Sequence, residues 1–121
     1  MATRVVIAGC RNDNNYQEAS QYISLCLKDL VDENEIIIVS GGARGADKLG
    51  ERYAKERGLK IEYYLPDWDK FGRAAGPIRN EQMAKVGDIV ICFWDGVSRG
   101  TKTMIDYANK YNKLLRIKEI H

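Results

Sequence analysis

Ile36-Ile37-Ile38-Val39-Ser40 runs straight into Gly41-Gly42-Ala43-Arg44-Gly45-Ala46-Asp47. The pattern is an apolar strand entering a glycine-rich turn that opens a helix. Such a turn leaves backbone N–H groups unpaired and aimed at one spot, where the positive end of the helix dipole adds its field. The chemistry that suits it is binding of phosphate or another anion. Glycine lets the backbone bend through positive φ and lets a ligand approach with no Cβ in the way. Arg44 adds a permanently charged, two-pronged donor to the same turn. No Lys-Ser/Thr pair follows Gly45, and the G-x-G-x-x-G spacing is absent from the turn, so this is neither a P-loop nor a dinucleotide fingerprint. A tight strand-to-helix turn in any α/β protein needs similar glycines; a second such turn favours the ligand.

That second turn is Trp94-Asp95-Gly96-Val97-Ser98-Arg99-Gly100-Thr101. Ser98 or Thr101 can cap the helix that follows, or a hydroxyl with the Gly100 and Thr101 amides can hold a phosphate. Asp95, at a strand end beside both glycine turns, could accept from a ribose hydroxyl, activate water, or simply form the turn. A third turn, Gly9-Cys10-Arg11-Asn12, follows the first strand, with Asn12, Asp13 and Asn14 available as helix caps. A fourth corner is Gly76-Pro77-Ile78-Arg79-Asn80. Pro77 suits the first turn of a helix, which puts Arg79 and Asn80 at its positive end. Lys70 and Arg73 in the preceding loop could close over an anion, while Trp68 and Phe71 either stack a base or pack under the loop. The candidate ligand-binding residues are Gly9, Arg11, Gly41, Gly42, Arg44, Gly45, Asp47, Arg73, Arg79, Asn80, Gly96, Ser98, Arg99, Gly100 and Thr101. Asp95 is the candidate catalytic residue, and Asp47 is expected to stabilise the start of its own helix.

Five apolar segments read as the strands that position these turns: Arg4 to Ala8, Ile36 to Ser40, Lys60 to Leu65, Asp88 to Phe93 and Leu114 to Ile120. Three are β-branched runs without alternation, as expected of parallel strands buried on both faces. Helical patterns lie between them. Ala19, Tyr22, Ile23, Cys26, Leu27 and Leu30 share one face, as do Ala46, Leu49, Gly50, Tyr53, Ala54 and Arg57 before a Gly58 cap. Ile78, Met83 and Val86 suggest a shorter helix, and Met104, Ile105, Ala108 and Tyr111 a last one. Pro66 to Pro77 reads as a long irregular stretch. The alternation predicts an α/β fold: Rossmann-like, doubly wound, with a mostly parallel sheet of about five strands and helices on both faces. In such a sheet, ligands bind beyond the C-terminal strand ends, near the point where strand order reverses.

The 121 residues fit a single domain over 1–121. With 45% hydrophobic and 30% charged residues the balance is that of a globular chain. A net charge of +2 is too small for a nucleic-acid footprint, and no segment approaches the ~20 apolar residues of a membrane span. The beginning has no signal-peptide architecture. Cys10, Cys26 and Cys92, with His121 as the sole imidazole, make neither a disulfide framework nor a metal site. Free thiols suit a reducing cytoplasm. Cys26 and Cys92 read as core residues, and Cys10 as a wall of the pocket. No cofactor is implied, although a magnesium ion bound through ligand phosphates would need few protein ligands.

The set Gly9-Cys10-Arg11, Gly41 to Asp47, Gly72 to Met83 and Asp95 to Thr101 resembles the YspA-like (YAcAr) branch of the SLOG superfamily. The resemblance spans nearly the whole chain with its motifs in order. The superfamily includes the LOG phosphoribohydrolases, the DNA-processing protein DprA and molybdenum-cofactor carrier-like proteins. The resemblance implies a Rossmann-like domain that binds or senses a nucleotide or nucleotide-derived ligand, with ADP-ribose-type molecules a common proposal, and a homo-oligomer. The LOG enzymes have an Arg-Lys-x-x-Met element, matched here by Arg79-Asn80-Glu81-Gln82-Met83 with asparagine for lysine. Their Gly-Thr-x-x-Glu supplies a catalytic glutamate. Gly100-Thr101-Lys102-Thr103-Met104 has methionine there, and a thioether cannot act as a base. The leading expectation is therefore nucleotide-ligand binding. The alternatives are an N-glycosidic hydrolase using Asp95 and, third, single-stranded nucleic-acid binding as in DprA.

Overall fold

The computed structural model describes residues 2–28 and 35–120. Five strands, β1 (Ala2–Gly9), β2 (Glu35–Ser40), β3 (Lys60–Tyr63), β4 (Ile89–Trp94) and β5 (Leu114–Glu119), form one sheet in the order β3-β2-β1-β4-β5. Every pairing is parallel. The helices are α1 (Tyr16–Leu27), α2 (Ala46–Glu56), the single turn α3 (Trp68–Phe71), α4 (Ala75–Val86) and α5 (Arg99–Lys110). β1, β2 and β4 are the inner strands, and their unbroken Val and Ile runs bury both faces: Val5, Ile7, Ile38 and Ile91 are fully buried on one side, Val6, Val39, Val90 and Cys92 on the other. α1 and α2 cover the first face through Ala19, Ile23, Leu49, Tyr53 and Ala54. α4 and α5 cover the second through Met83, Ala84, Met104, Ile105 and Ala108. The chain thus winds outward from β1 to β3 and then crosses over to β4 and β5, so strand order reverses between β1 and β4.

The expected Rossmann-like architecture is present, with its sheet wholly parallel. Several details differ from expectation: β1 runs Ala2–Gly9 rather than Arg4 to Ala8, and β4 Ile89–Trp94 rather than Asp88 to Phe93. β3 stops at Tyr63 rather than Leu65 and β5 at Glu119 rather than Ile120, while Leu30 and His121 lie outside the described residues. The stretch from Pro66 to Pro77 is not irregular. Asp67 accepts from the Lys70 amide at 3.1 Å to start α3, Gly72 at φ 56° ends it, and a 3-10 turn over Gly72–Ala74 leads into α4. α4 begins two residues ahead of Pro77, which sits third in the helix, still among the positions whose amides need no intrahelical partner. The cap of α1 is Asn15, accepting from the Glu18 amide at 3.1 Å, rather than Asn12, Asp13 or Asn14. Among the described residues no helix is long and apolar enough to cross a membrane, and all three cysteines are free.

Candidate functional site

Where strand order reverses, the connections leaving β1 and β4 turn to opposite faces and open a crevice at the C-terminal edge. The cleft there has a volume of about 440 Å³. Gly9, Cys10, Arg11 and Asn12 come from the end of β1, and Ala43, Arg44 and Asp47 from the β2–α2 turn. Arg79, Asn80 and Met83 come from α4, and Asp95, Ser98, Gly100, Thr101 and Met104 from the β4–α5 turn and α5. All four corners read from the sequence therefore meet in one place.

The β2–α2 turn differs from expectation in what its amides do. The Gly42 amide donates to Ser40 Oγ at 3.1 Å, and the Ser40 hydroxyl donates onward to the buried Glu51 carboxylate at 2.7 Å. The Ala43 amide donates to Asp47 Oδ2 at 3.3 Å. Side chains of this chain, rather than a ligand, take these two donors. Gly45, at φ +79°, serves close packing: a Cβ there would strike the Cys10 carbonyl and lie 2.6 Å from Arg11 Cα. The Ala46 amide bonds that same Cys10 carbonyl at 3.2 Å, locking the start of α2 to the end of β1.

Asp47 is 5% exposed. Burial pushes its carboxyl up to about 6, against the Ala43 amide and the charge of Arg79, which favour ionisation. Arg79 is itself buried, and desolvation lowers its pKa while Asp47 opposes the shift. Its Nη1 donates to the Gly41 carbonyl at 2.6 Å and its Nε to Asn80 Oδ1 at 2.8 Å. Asn80 Nδ2 in turn donates to the Gly100 carbonyl at 3.4 Å. α4 thereby ties both glycine turns together.

The β4–α5 turn has the opposite character. Asp95 Oδ1 accepts from the Val97 and Ser98 amides at 2.9 and 2.8 Å, and these bonds hold its carboxyl below the usual carboxylate range. Asp95 is therefore the turn-former as well as a cleft wall. Ser98 occupies the N-cap of α5 but makes no side-chain cap; its hydroxyl pairs with that of Thr101 at 3.2 Å. Of the two roles open to these hydroxyls, capping α5 is therefore not taken up by Ser98. A Cβ on Gly100 would meet nothing within 4 Å, so neither packing nor backbone conformation calls for glycine there.

Cys10 lines the cleft as expected but is 4% exposed, and burial pushes its thiol up. Its sulfur accepts from the Asp95 amide at 3.3 Å, so it braces two turns rather than offering a nucleophile. Gly41 and Gly42 face an adjoining cleft, not this one. Gly45 sits beneath the turn, and Arg73, Gly96 and Arg99 lie outside both walls. The sequence reading missed Met83 and Met104 as cleft floor: both are 1% exposed, and their helical spacing signals only a core face.

Residues 3–71 match the YAcAr family, described as the YspA, cpYpsA-related SLOG family. The Gene 61 protein of Mycobacterium phage D29 is 36% identical over 81 residues, 62% of this chain and 65% of that protein. The chain thus spans slightly less than two thirds of that relative. In three dimensions the chain resembles DNA processing protein A (DprA) from Streptococcus pneumoniae, with a TM-score of 0.73 and 19% identity over 97% of this chain and 50% of the other. It also resembles the protein TM1055, with a TM-score of 0.66 and 19% identity over 95% and 72%. These two likenesses show a shared fold. The family match covers more than half of the residues and includes the first two corners of the cleft, so the chain belongs to the YspA, cpYpsA-related SLOG family.

Proposed function

We propose that this chain binds a nucleotide-derived phosphorylated ligand in the crevice between β1 and β4, with a phosphate on the first turn of α5. One observation carries the reading: the N-terminus of α5 opens onto the cleft without a side-chain cap, beside a glycine that the protein itself does not require. Arg11, Arg44 and Arg79 line the same cleft and supply charge. The Gly41–Gly45 turn contributes Arg44 and the shape of the wall more than free amides.

Binding without cleavage is the better reading of the chemistry. Asp95 has one oxygen held by two amides and a depressed pKa, which makes it a weak proton acceptor. Met104 stands in the wall where the resembling hydrolases carry glutamate. A magnesium ion would be held chiefly by ligand phosphates, since the described residues contain no group of three or more metal-ligating side chains. We place the protein in the cytoplasm, where its free thiols stay reduced, and expect it to self-associate, as its family resemblance implies.

The test is thermal stability of the purified protein against nucleotides, cyclic nucleotides and ADP-ribose derivatives, with each mixture then separated by chromatography. A ligand at ~100 times its dissociation constant adds about 2.7 kcal/mol, an easily seen shift. A stabilising ligand recovered intact supports the proposal, and one recovered cleaved overturns the binding-only reading. If no phosphorylated compound stabilises the protein, the site assignment fails. Steep salt-dependent binding of a single-stranded oligonucleotide would favour a nucleic-acid role instead.

A further inference from the structure

β3 closes one side of the sheet, with β2 as its neighbour on the inner side. The Tyr64 amide donates inward to the Ser40 carbonyl at 2.9 Å. Backbone groups alternate in direction along a parallel strand, so Glu62, partnered with Val39, also turns toward β2, while Ile61 and Tyr63 turn theirs outward. No described residue of the chain accepts from the Ile61 or Tyr63 amide. Side chains alternate too: Lys60 and Glu62 share one face of the sheet, Ile61 and Tyr63 the other. Arg4 grips Glu62 with bonds of 2.8 and 3.1 Å, which fixes the carboxylate beside the open edge. Lys60 is exposed and forms no ion pair among the described residues. Tyr63 is 49% exposed.

Another strand completes an open edge of this kind. A second copy related by a two-fold axis runs antiparallel, and its side chains meet on matching faces only when the axis passes through a residue. Centred on Lys60 or on Glu62, the pairing would set like charges opposite each other. Centred on Ile61, it sets Lys60 against the second copy's Glu62 and Glu62 against its Lys60, two ion pairs on one face. Ile61 then faces itself and exchanges two backbone bonds, and the Tyr63 amide meets the Leu59 carbonyl. β5, the other edge, has no such match: centred on Ile117 it would face Arg116 with Lys118. An edge lysine guards against indiscriminate pairing, and here it leaves one permitted register. We propose, as the surface for the self-association inferred above, that two copies of this chain join through β3, antiparallel and centred on Ile61. Two five-stranded sheets thereby become one. The strands reverse direction across the junction, so the two ligand clefts open at opposite edges and fill independently.

A four-residue strand pairs over less area than the ~1,600 Å² of a standard interface, so the dimer should dissociate on dilution. Sedimentation of the intact chain over a concentration series should show that equilibrium. Lys60→Glu puts an acid opposite the second copy's Glu62, and Glu62→Lys puts a base opposite its Lys60. Each alone should weaken the dimer at least about tenfold. Mixed in equal amounts, the two variants carry opposite charges at both contacts and should associate as wild type does. Glu62→Lys also loses the Arg4 bonds, so melting curves accompany the series. Tyr63→Pro leaves every charge in place; it removes an outward amide and no bond within the chain, and should weaken the dimer while the protein stays folded. Folded charge variants that fail to associate on mixing overturn the register. A dimer indifferent to Lys60→Glu and Tyr63→Pro overturns this surface and leaves self-association standing. A wild type that is monomeric at every concentration overturns both, and the ligand cleft stands or falls separately.

Discussion

Arg79 Nη1 donates to the Gly41 carbonyl at 2.6 Å across 38 residues of chain. A Cβ at Gly41 would collide with that guanidinium and lie 2.9 Å from Asp47 Oδ2. The glycine therefore makes room for the arginine, and the arginine fixes the turn. Asn80, the next residue, accepts from Arg79 and reaches the Gly100 carbonyl, so one helix end sets the spacing of both glycine turns.

Arg79→Met keeps much of the side-chain volume and removes the charged donor, leaving the Gly41 carbonyl without its partner. A hydrogen bond from a charged group is worth roughly 1.5–3 kcal/mol, and urea denaturation should show a loss in that range. The same variant should weaken phosphate-ligand binding, because both turns lose their brace and the wall loses a charge. A variant as stable as wild type would mean that the Arg79–Gly41 bond contributes nothing.

Asp47 makes stability depend on pH in a defined window. Its folded pKa, about 6, lies above the 3.8 ordinary for an aspartate, so between these the folded state keeps a proton that the unfolded chain has released. The contribution of the protonated carboxyl is fully present below 3.8 and is lost as pH rises through about 6. At 1.36 kcal/mol per pKa unit the swing is about 3 kcal/mol. Denaturation of wild type and Asp47→Asn between pH 4 and pH 7 should show wild type losing stability relative to the variant by that order. An anion bound beside Asp47 raises its pKa further. A pyrophosphate diester, which does not titrate here, should therefore bind more tightly at pH 5.5 than at pH 7.5, and Asp47→Asn should flatten the dependence.

Asp95 separates a turn-forming carboxylate from a catalytic one. Asparagine keeps an acceptor oxygen for the Val97 and Ser98 amides, whereas alanine does not. Asp95→Asn should bind ligand as wild type does, and Asp95→Ala should bind more weakly because the turn presenting Ser98 to Thr101 loosens. Wild type should return every ligand intact. Release of free base by wild type but not by Asp95→Asn would make Asp95 catalytic.

The fold was legible because its signals are local. Ile36 to Val39 and Ile89 to Phe93 are unbroken apolar runs that only an inner parallel strand buries on both faces. The four corners were legible as glycine turns at strand ends, and the reversal of order between β1 and β4 brings them together. What the turn amides bond to was not legible. Ser40 reaching back to Gly42, and Asp47 to Ala43, are side-chain choices that sequence spacing leaves open. Nor could spacing aim the arginines. Neighbouring helical residues diverge by about 100°, so Gly100 lines the cleft while Arg99 leaves it. Met83 and Met104 look the same in sequence whether they fill a core or floor a cleft.

The glycines give a test that separates folding from binding. At Gly45 the backbone has φ +79° and a Cβ would enter the Cys10 carbonyl, so Gly45→Ala combines strain with a backbone clash. Its cost should exceed the ~1 kcal/mol usual for alanine at positive φ, and expression or melting temperature should fall sharply. Gly100 sits in the first turn of α5 with open space where a Cβ would go. Alanine favours helix there by up to about 1 kcal/mol, so Gly100→Ala should melt at or above the wild-type temperature. If a phosphate approaches the α5 backbone, that methyl group occupies its path, and ADP-ribose affinity should drop at least about tenfold (roughly 1.4 kcal/mol). A Gly100→Ala protein that is stable and binds as wild type does would remove the phosphate from the first turn of α5.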